Sequence, residues 1–169
     1  LWLRRRLGEE RLLWSEYLDE AEGSFCDIPH QDLCSLSFAG NSFDLVLCNE
    51  LFEHVKYLDR AISEIARVLR PGGRLVATCP LAFGQNESIV KAVVDPQTGG
   101  TQLLSEVEMH GDPIRPQSGS LVYRIPAWDL LSQLQHNGFA QARIHFVVSW
   151  KYGVLGSDLP GVLVIEALC

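Results

Sequence analysis

The chain has 169 residues, 47% of them hydrophobic, with 21 Asp and Glu against 14 Lys and Arg and a formal net charge of -7. That apolar content suffices to bury a core, which excludes disorder and leads us to expect one domain over residues 1–169. The acidic balance disfavours a nucleic-acid partner, and no apolar run approaches the ~18 residues of a membrane span.

In chain order, Leu1 to Leu7 reads as the last turns of a helix, and the LWLRRRLGEE start is too charged and too short for a signal peptide. The cytoplasm is the expected compartment. The first residue is Leu and not Met, which suggests a fragment, or a trimmed or misassigned start. Arg11 to Glu16 (RLLWSE) is an apolar run closing in polar residues, which predicts a buried strand. Tyr17 to Gly40 is rich in Asp, Glu, Ser, Gly and Pro and reads as loop, with Leu36 to Phe38 turned inward.

Phe43 to Cys48 (FDLVLC) is apolar apart from Asp44, as expected at the centre of a parallel sheet covered on both faces. Leu58, Ala61, Ile62, Ile65, Val68 and Leu69 then fall at helical spacing, with Arg60 and Glu64 one turn apart. Pro71-Gly72-Gly73 stops that helix in a tight turn, and Arg74 to Cys79 is a second buried strand. Strand, helix and strand make a βαβ unit. From 81 to 125 glycines and prolines interrupt every pattern, which predicts an irregular cover segment with a functional role. Pro126 opens a further helix that Gly138 closes, and two strands, Ile144 to Val148 and Val162 to Leu168, form an antiparallel hairpin. The five cysteines include no CxxC pair and no His at ligand spacing, so reduced thiols and no metal are expected.

The string FDLVLCNELFEHVKYLDRAISEIARVLRPGGRLVATCPL, Phe43 to Leu81, resembles the central block of the small-molecule class I S-adenosylmethionine-dependent methyltransferases, type 11 in kind. A weaker likeness continues through HGDP at His110 to Pro113 and NGF at Asn137 to Phe139. The resemblance implies an α/β, Rossmann-like sheet, mostly parallel with an antiparallel C-terminal hairpin. The family's first strand and its E-x-G-x-G loop are lacking in this sequence, so the domain is expected to be partial.

S-adenosyl-L-methionine is the implied cofactor. In the family an acid ending the second strand takes the ribose hydroxyls, which falls on Glu16, and an acid after the third strand takes the adenine amino group, which falls on Asp32, with Leu33 beside the ring. Asn49, Glu50 and His54 match positions near the methionine end. For a hydroxyl acceptor His110 and Asp112 are the implied catalytic candidates for a base. Each has a plainer structural alternative: loop acids, a turn-forming Asp, a capping Asn, a surface His.

The implied reaction is methyl transfer to a small-molecule or glycan-precursor acceptor, with no nucleic acid or membrane as partner; a homodimer stays open. Two rivals also stay open. One is a non-catalytic remnant or partner-binding module. The other is a nicotinamide-dependent oxidoreductase, against which the lack of GxGxxG and Tyr-x-x-x-Lys weighs.

Overall fold

A computed structural model of the chain describes residues 2–18, 28–156 and 159–169; Cys26 lies outside them. Short helix α1 (Trp2–Leu7) and a single 3₁₀ turn (Glu9–Arg11) lead in. The strand expected over Arg11 to Glu16 does not form: after the turn the segment is irregular, with one parallel bridge from Glu16 to His30. Leu13 and Trp14 are exposed, and Trp14 lies beneath the Arg4 guanidinium, 3.7 Å from its ring centre. An apolar run becomes a strand only where another backbone pairs with it, and beyond the Glu16 bridge none among the described residues does so here.

Strand β1 (Phe43–Asn49) is followed by a 3₁₀ turn (Phe52–His54), helix α2 (Leu58–Val68) and strand β2 (Leu69–Thr78). The α2 periodicity places Leu58, Ala61, Ile62, Ile65 and Val68 in the core, each large aliphatic side chain adding about 1.5–3 kcal/mol. Leu69 is already extended, as suits a segment two residues from Pro71. Glu64 pairs with Arg67 at 2.7 Å and accepts the Leu36 N–H at 2.9 Å, so the expected Arg60 partner is replaced by a residue on the loop-facing side. Arg67 in turn donates to the carbonyls of Leu36 and Phe38, fastening the incoming loop to the helix. Asp44 holds Arg70 with both carboxylate oxygens at 2.7 Å. Gly72, at φ 77°, turns so that its N–H reaches the Cys169 carbonyl.

β1 and β2 run parallel, β10 (Val162–Leu168) pairs antiparallel with β2, and β9 (Gln141–Val147) pairs antiparallel with β10, giving the order β1-β2-β10-β9. The C-terminal hairpin is therefore as expected. The central placing of β1 is not: among the described residues it is an edge strand, with Leu45 and Leu47 each 43% exposed. Its outer backbone edge has no strand partner there.

The cover segment is more ordered than its sequence suggests. It holds three two-stranded ladders, β3 (Ile89–Val90) with β8 (Arg124–Ile125), β4 (Ala92–Val94) with β5 (Thr101–Leu103), and β6 (Met109–His110) with β7 (Ser120–Leu121). Val122 and Tyr123 are its buried anchor, and the Tyr123 N–H donates to the Glu53 carbonyl at 2.7 Å. Helix α3 (Asp129–His136) buries Leu130 and Leu134 against α2 and the sheet, and Gly138 at φ 113° ends it. Cys34, Cys48, Cys79 and Cys169 are free thiols; burial pushes Cys48 up to about 12 and raises Cys79 as well, which suits packing and not reactivity. No described helix is long and apolar enough to cross a membrane.

Candidate active site

Because β1 and β2 are parallel, their carboxyl ends open on the same side, where α/β sheets bind ligands. Asn49 lies opposite Thr78, whose hydroxyl donates at 3.5 Å to the Asn49 side-chain Oδ1, and the Glu50 N–H donates to the Thr78 carbonyl at 2.8 Å. Glu50 takes φ 50°, a left-handed conformation that a non-glycine residue adopts only when its surroundings impose it. Both side chains are exposed. The strand ends border an open depression of about 530 Å³, lined on the cover and hairpin sides by Phe83, Leu155 and Leu163.

Glu16 is half-buried, and its carboxylate accepts the Tyr17 N–H at 2.8 Å. Its N–H donates to the Pro29 carbonyl and its carbonyl accepts the Gln31 N–H, a single parallel bridge that sets Glu16 beside His30, two residues before Asp32. Asp32 closes a turn of its own, its Oδ1 accepting the Cys34 N–H at 2.8 Å and its carbonyl the Ser35 N–H. Leu33 packs against the core. A link from the cover reaches this segment: Arg115 donates to the Tyr17 carbonyl at 3.0 Å.

Asp112 is a fixed anion. Burial pushes its carboxyl up, but the Ser120 hydroxyl at 2.6 Å, the Ile114 N–H and Arg115 together outweigh this and hold it at about 2. A carboxylate that acidic, with its oxygens engaged, is a weak base and organises its loop. His110 and His54, distant in sequence, meet edge to face with ring centres 5.1 Å apart. His54 Nδ1 is 2.8 Å from the Leu121 carbonyl, and His110 Nε2 is 3.2 Å from Glu108, which Lys91 holds by an ion pair. Beside both rings, its Oε1 3.6 Å from His54 Nε2 and 3.7 Å from His110 Nδ1, lies Glu53, which the resemblance does not single out. It is fully buried, and among the described residues neither carboxylate oxygen has a hydrogen-bond partner. Burial pushes its carboxyl above the usual range, and the nearby Glu50 adds to this. The available signal is a carboxylate set beside His54 between the apolar Phe52 and Val55.

A family model described as a methyltransferase domain matches residues 9–77, a span that contains Glu16, Asp32, Leu33, Asn49, Glu50 and His54. The chain is 54% identical over 44 residues to a malonyl-[acyl-carrier protein] O-methyltransferase of Methylococcus capsulatus, covering 26% of this chain and 16% of that protein. It is 38% identical over 64 residues to the methyltransferase GfsG of Streptomyces halstedii, covering 38% and 23%. The matched part thus spans less than a quarter of either relative's length. Among solved structures, an S-adenosylmethionine-dependent methyltransferase from Mesorhizobium loti superposes with a TM-score of 0.51 at 18% identity, over 89% of this chain and 74% of that one, a likeness of fold.

Proposed function

We propose that the chain is a class I S-adenosylmethionine-dependent methyltransferase, as the methyltransferase-domain match over residues 9–77 supports, and that it transfers a methyl group from S-adenosylmethionine to a small-molecule or glycan-precursor acceptor. The observation that carries the reading is the placing of Glu16. Its carboxylate is oriented by the Tyr17 N–H and keeps the acceptor capacity that a ribose diol requires. The donor set suits the nucleoside end of the cofactor: Glu16 for the ribose, Asp32 and the backbone of Leu33 for the adenine. Asn49 and Glu50, at the exit of β1, serve the methionine end.

When bound, S-adenosylmethionine supplies an electrophilic methyl group. The residues of this chain bind, orient and exclude water, and such positioning accounts for most of the acceleration in a transfer of this kind. The cover from Leu81 to Ile125 supplies the acceptor side, fastened to the turn after β1 through Tyr123 and to the Glu16 segment through Arg115. Asp112 keeps that cover in shape and is not the base. His110 turns both ring nitrogens towards carboxylates, so it too is assigned to structure around Glu53 and not to proton removal.

Thermal unfolding with added ligands tests the proposal. A ligand at about a hundred times its Kd stabilises by ~2.7 kcal/mol, a shift of several degrees. S-adenosylhomocysteine is expected to raise the Tm and NAD or NADP to leave it unchanged. A shift with the nicotinamide cofactors would favour the oxidoreductase, and no shift with any of them a partner-binding module.

A further inference from the structure

The arrangement around Glu53 has no explanation in the methyl-transfer reading. Its side chain is fully buried, and among the described residues neither carboxylate oxygen has a donor. Burying an uncompensated carboxylate is among the most expensive things a fold can do. The nearest polar atoms are two imidazole nitrogens, His54 Nε2 at 3.6 Å and His110 Nδ1 at 3.7 Å from Glu53 Oε1. Neither distance is a hydrogen bond.

The outer nitrogens of the rings fix the inner ones. A carbonyl oxygen only accepts, so His54 Nδ1 must carry the hydrogen it gives to Leu121. Glu108 likewise takes the hydrogen of His110 Nε2. In the neutral rings, His54 Nε2 and His110 Nδ1 are therefore lone pairs, and both face the same buried carboxylate. With Glu53 ionised and both rings neutral, three acceptors converge with no hydrogen between them. One ring held by a backbone carbonyl and one by a carboxylate is also the outer arrangement that orients metal-bound histidines.

We propose that Glu53, His54 and His110 bind a divalent first-row transition-metal ion. One donor atom from each lies within 4.8 Å of the others. Metal–ligand bonds of ~2.1 Å at tetrahedral angles put donors about 3.4 Å apart, so small side-chain shifts close the site. Two imidazoles and one carboxylate suit Zn²⁺, Co²⁺ or Mn²⁺ better than Mg²⁺ or Ca²⁺, which prefer all-oxygen shells. Three protein ligands leave a coordination position open. With side-chain exposures of 18% for His54 and 31% for His110, the site has a route to solvent. The donors span the turn after β1 and the β6 strand of the cover, so an ion there would clamp the cover to the sheet. The inference stands independently of the proposed methyl transfer.

The test uses the full chain, stripped with a chelator and titrated with CoCl₂ and with ZnCl₂. One equivalent of Co²⁺ is expected to produce the visible d–d absorption of a low-coordinate site, and Zn²⁺ to displace it. His110→Ala, at a partly exposed position that tolerates truncation, should weaken binding at least tenfold, and Glu53→Gln should do the same. His136→Ala, whose ring bonds the Ser132 carbonyl on α3, should leave it unchanged. Circular dichroism confirms that each variant is folded. Absence of the Co²⁺ bands in the wild-type chain, or their persistence in folded His110→Ala, would overturn the proposal.

Discussion

The guanidinium of Arg115 joins the Asp112 carboxylate at 2.7 Å to the Tyr17 carbonyl at 3.0 Å, so the cover segment is fastened to the residue beside Glu16. Arg115→Ala removes both contacts from a site where the side chains are 20% and 13% exposed. A loss of about 1–3 kcal/mol is expected in urea unfolding. Hydrogen exchange should accelerate at Tyr17 and over 112–120 together. Acceleration in only one of the two would show that the link carries no order between them.

Leu134 is fully buried where α3 meets α2 and the sheet. Leu134→Ala should cost about 2–5 kcal/mol in denaturant unfolding, since the packed helices cannot close the space. A cost below ~1 kcal/mol would mean that α3 is not part of the same cooperative core.

Gly138 and Gly72 both have positive φ, at 113° and 77°, but differ in surroundings. A Cβ on Gly138 would stand 3.0 Å from the Ala66 Cβ, whereas one on Gly72 meets nothing within 4 Å. Alanine at either position strains the backbone; at Gly138 it also pushes α3 from α2. Gly138→Ala is expected to lower the Tm more than Gly72→Ala, and the reverse order would contradict the packing described.

The legibility of the fold follows from where each signal resides. The α2 stripe and the C-terminal hairpin are local patterns, and the structure keeps them, whereas the helix ends at Val68 and Pro71-Gly72-Gly73 lies within β2, where its pairing with β1 shifts register. The Arg11 to Glu16 strand and the central place of β1 depend on a neighbouring strand, which no local pattern specifies. Glu16 and Asp32 were nameable from the resemblance, because motif position stands in for geometry. Glu53 was not, because its meaning depends on His110, brought to it by the β6–β7 ladder. The same ladder sets the Ser120 hydroxyl against the Asp112 carboxylate, a contact that no local pattern specifies.

Glu64 links stability to pH. The Arg67 side chain first, and the Leu36 N–H as well, hold its carboxyl below its ordinary value of 4.5. A lowered folded-state value means that the contribution is present above the unfolded value and is lost as pH falls through the folded one. Stability should thus decline on acidification below about pH 4.5. Glu64→Gln should be less stable at pH 7 and show a shallower decline, measured by urea unfolding at several pH values. Equal slopes would remove Glu64 from the acid response.

The central claim, that Glu16 holds the cofactor's ribose, is tested most directly by calorimetric titration of the protein and of its Glu16→Ala variant with S-adenosylhomocysteine. Loss of a charge-assisted pair of hydrogen bonds is worth about 1.5–3 kcal/mol each, so the variant is expected to bind at least tenfold more weakly while staying folded. Equal affinity in the two proteins would contradict the account.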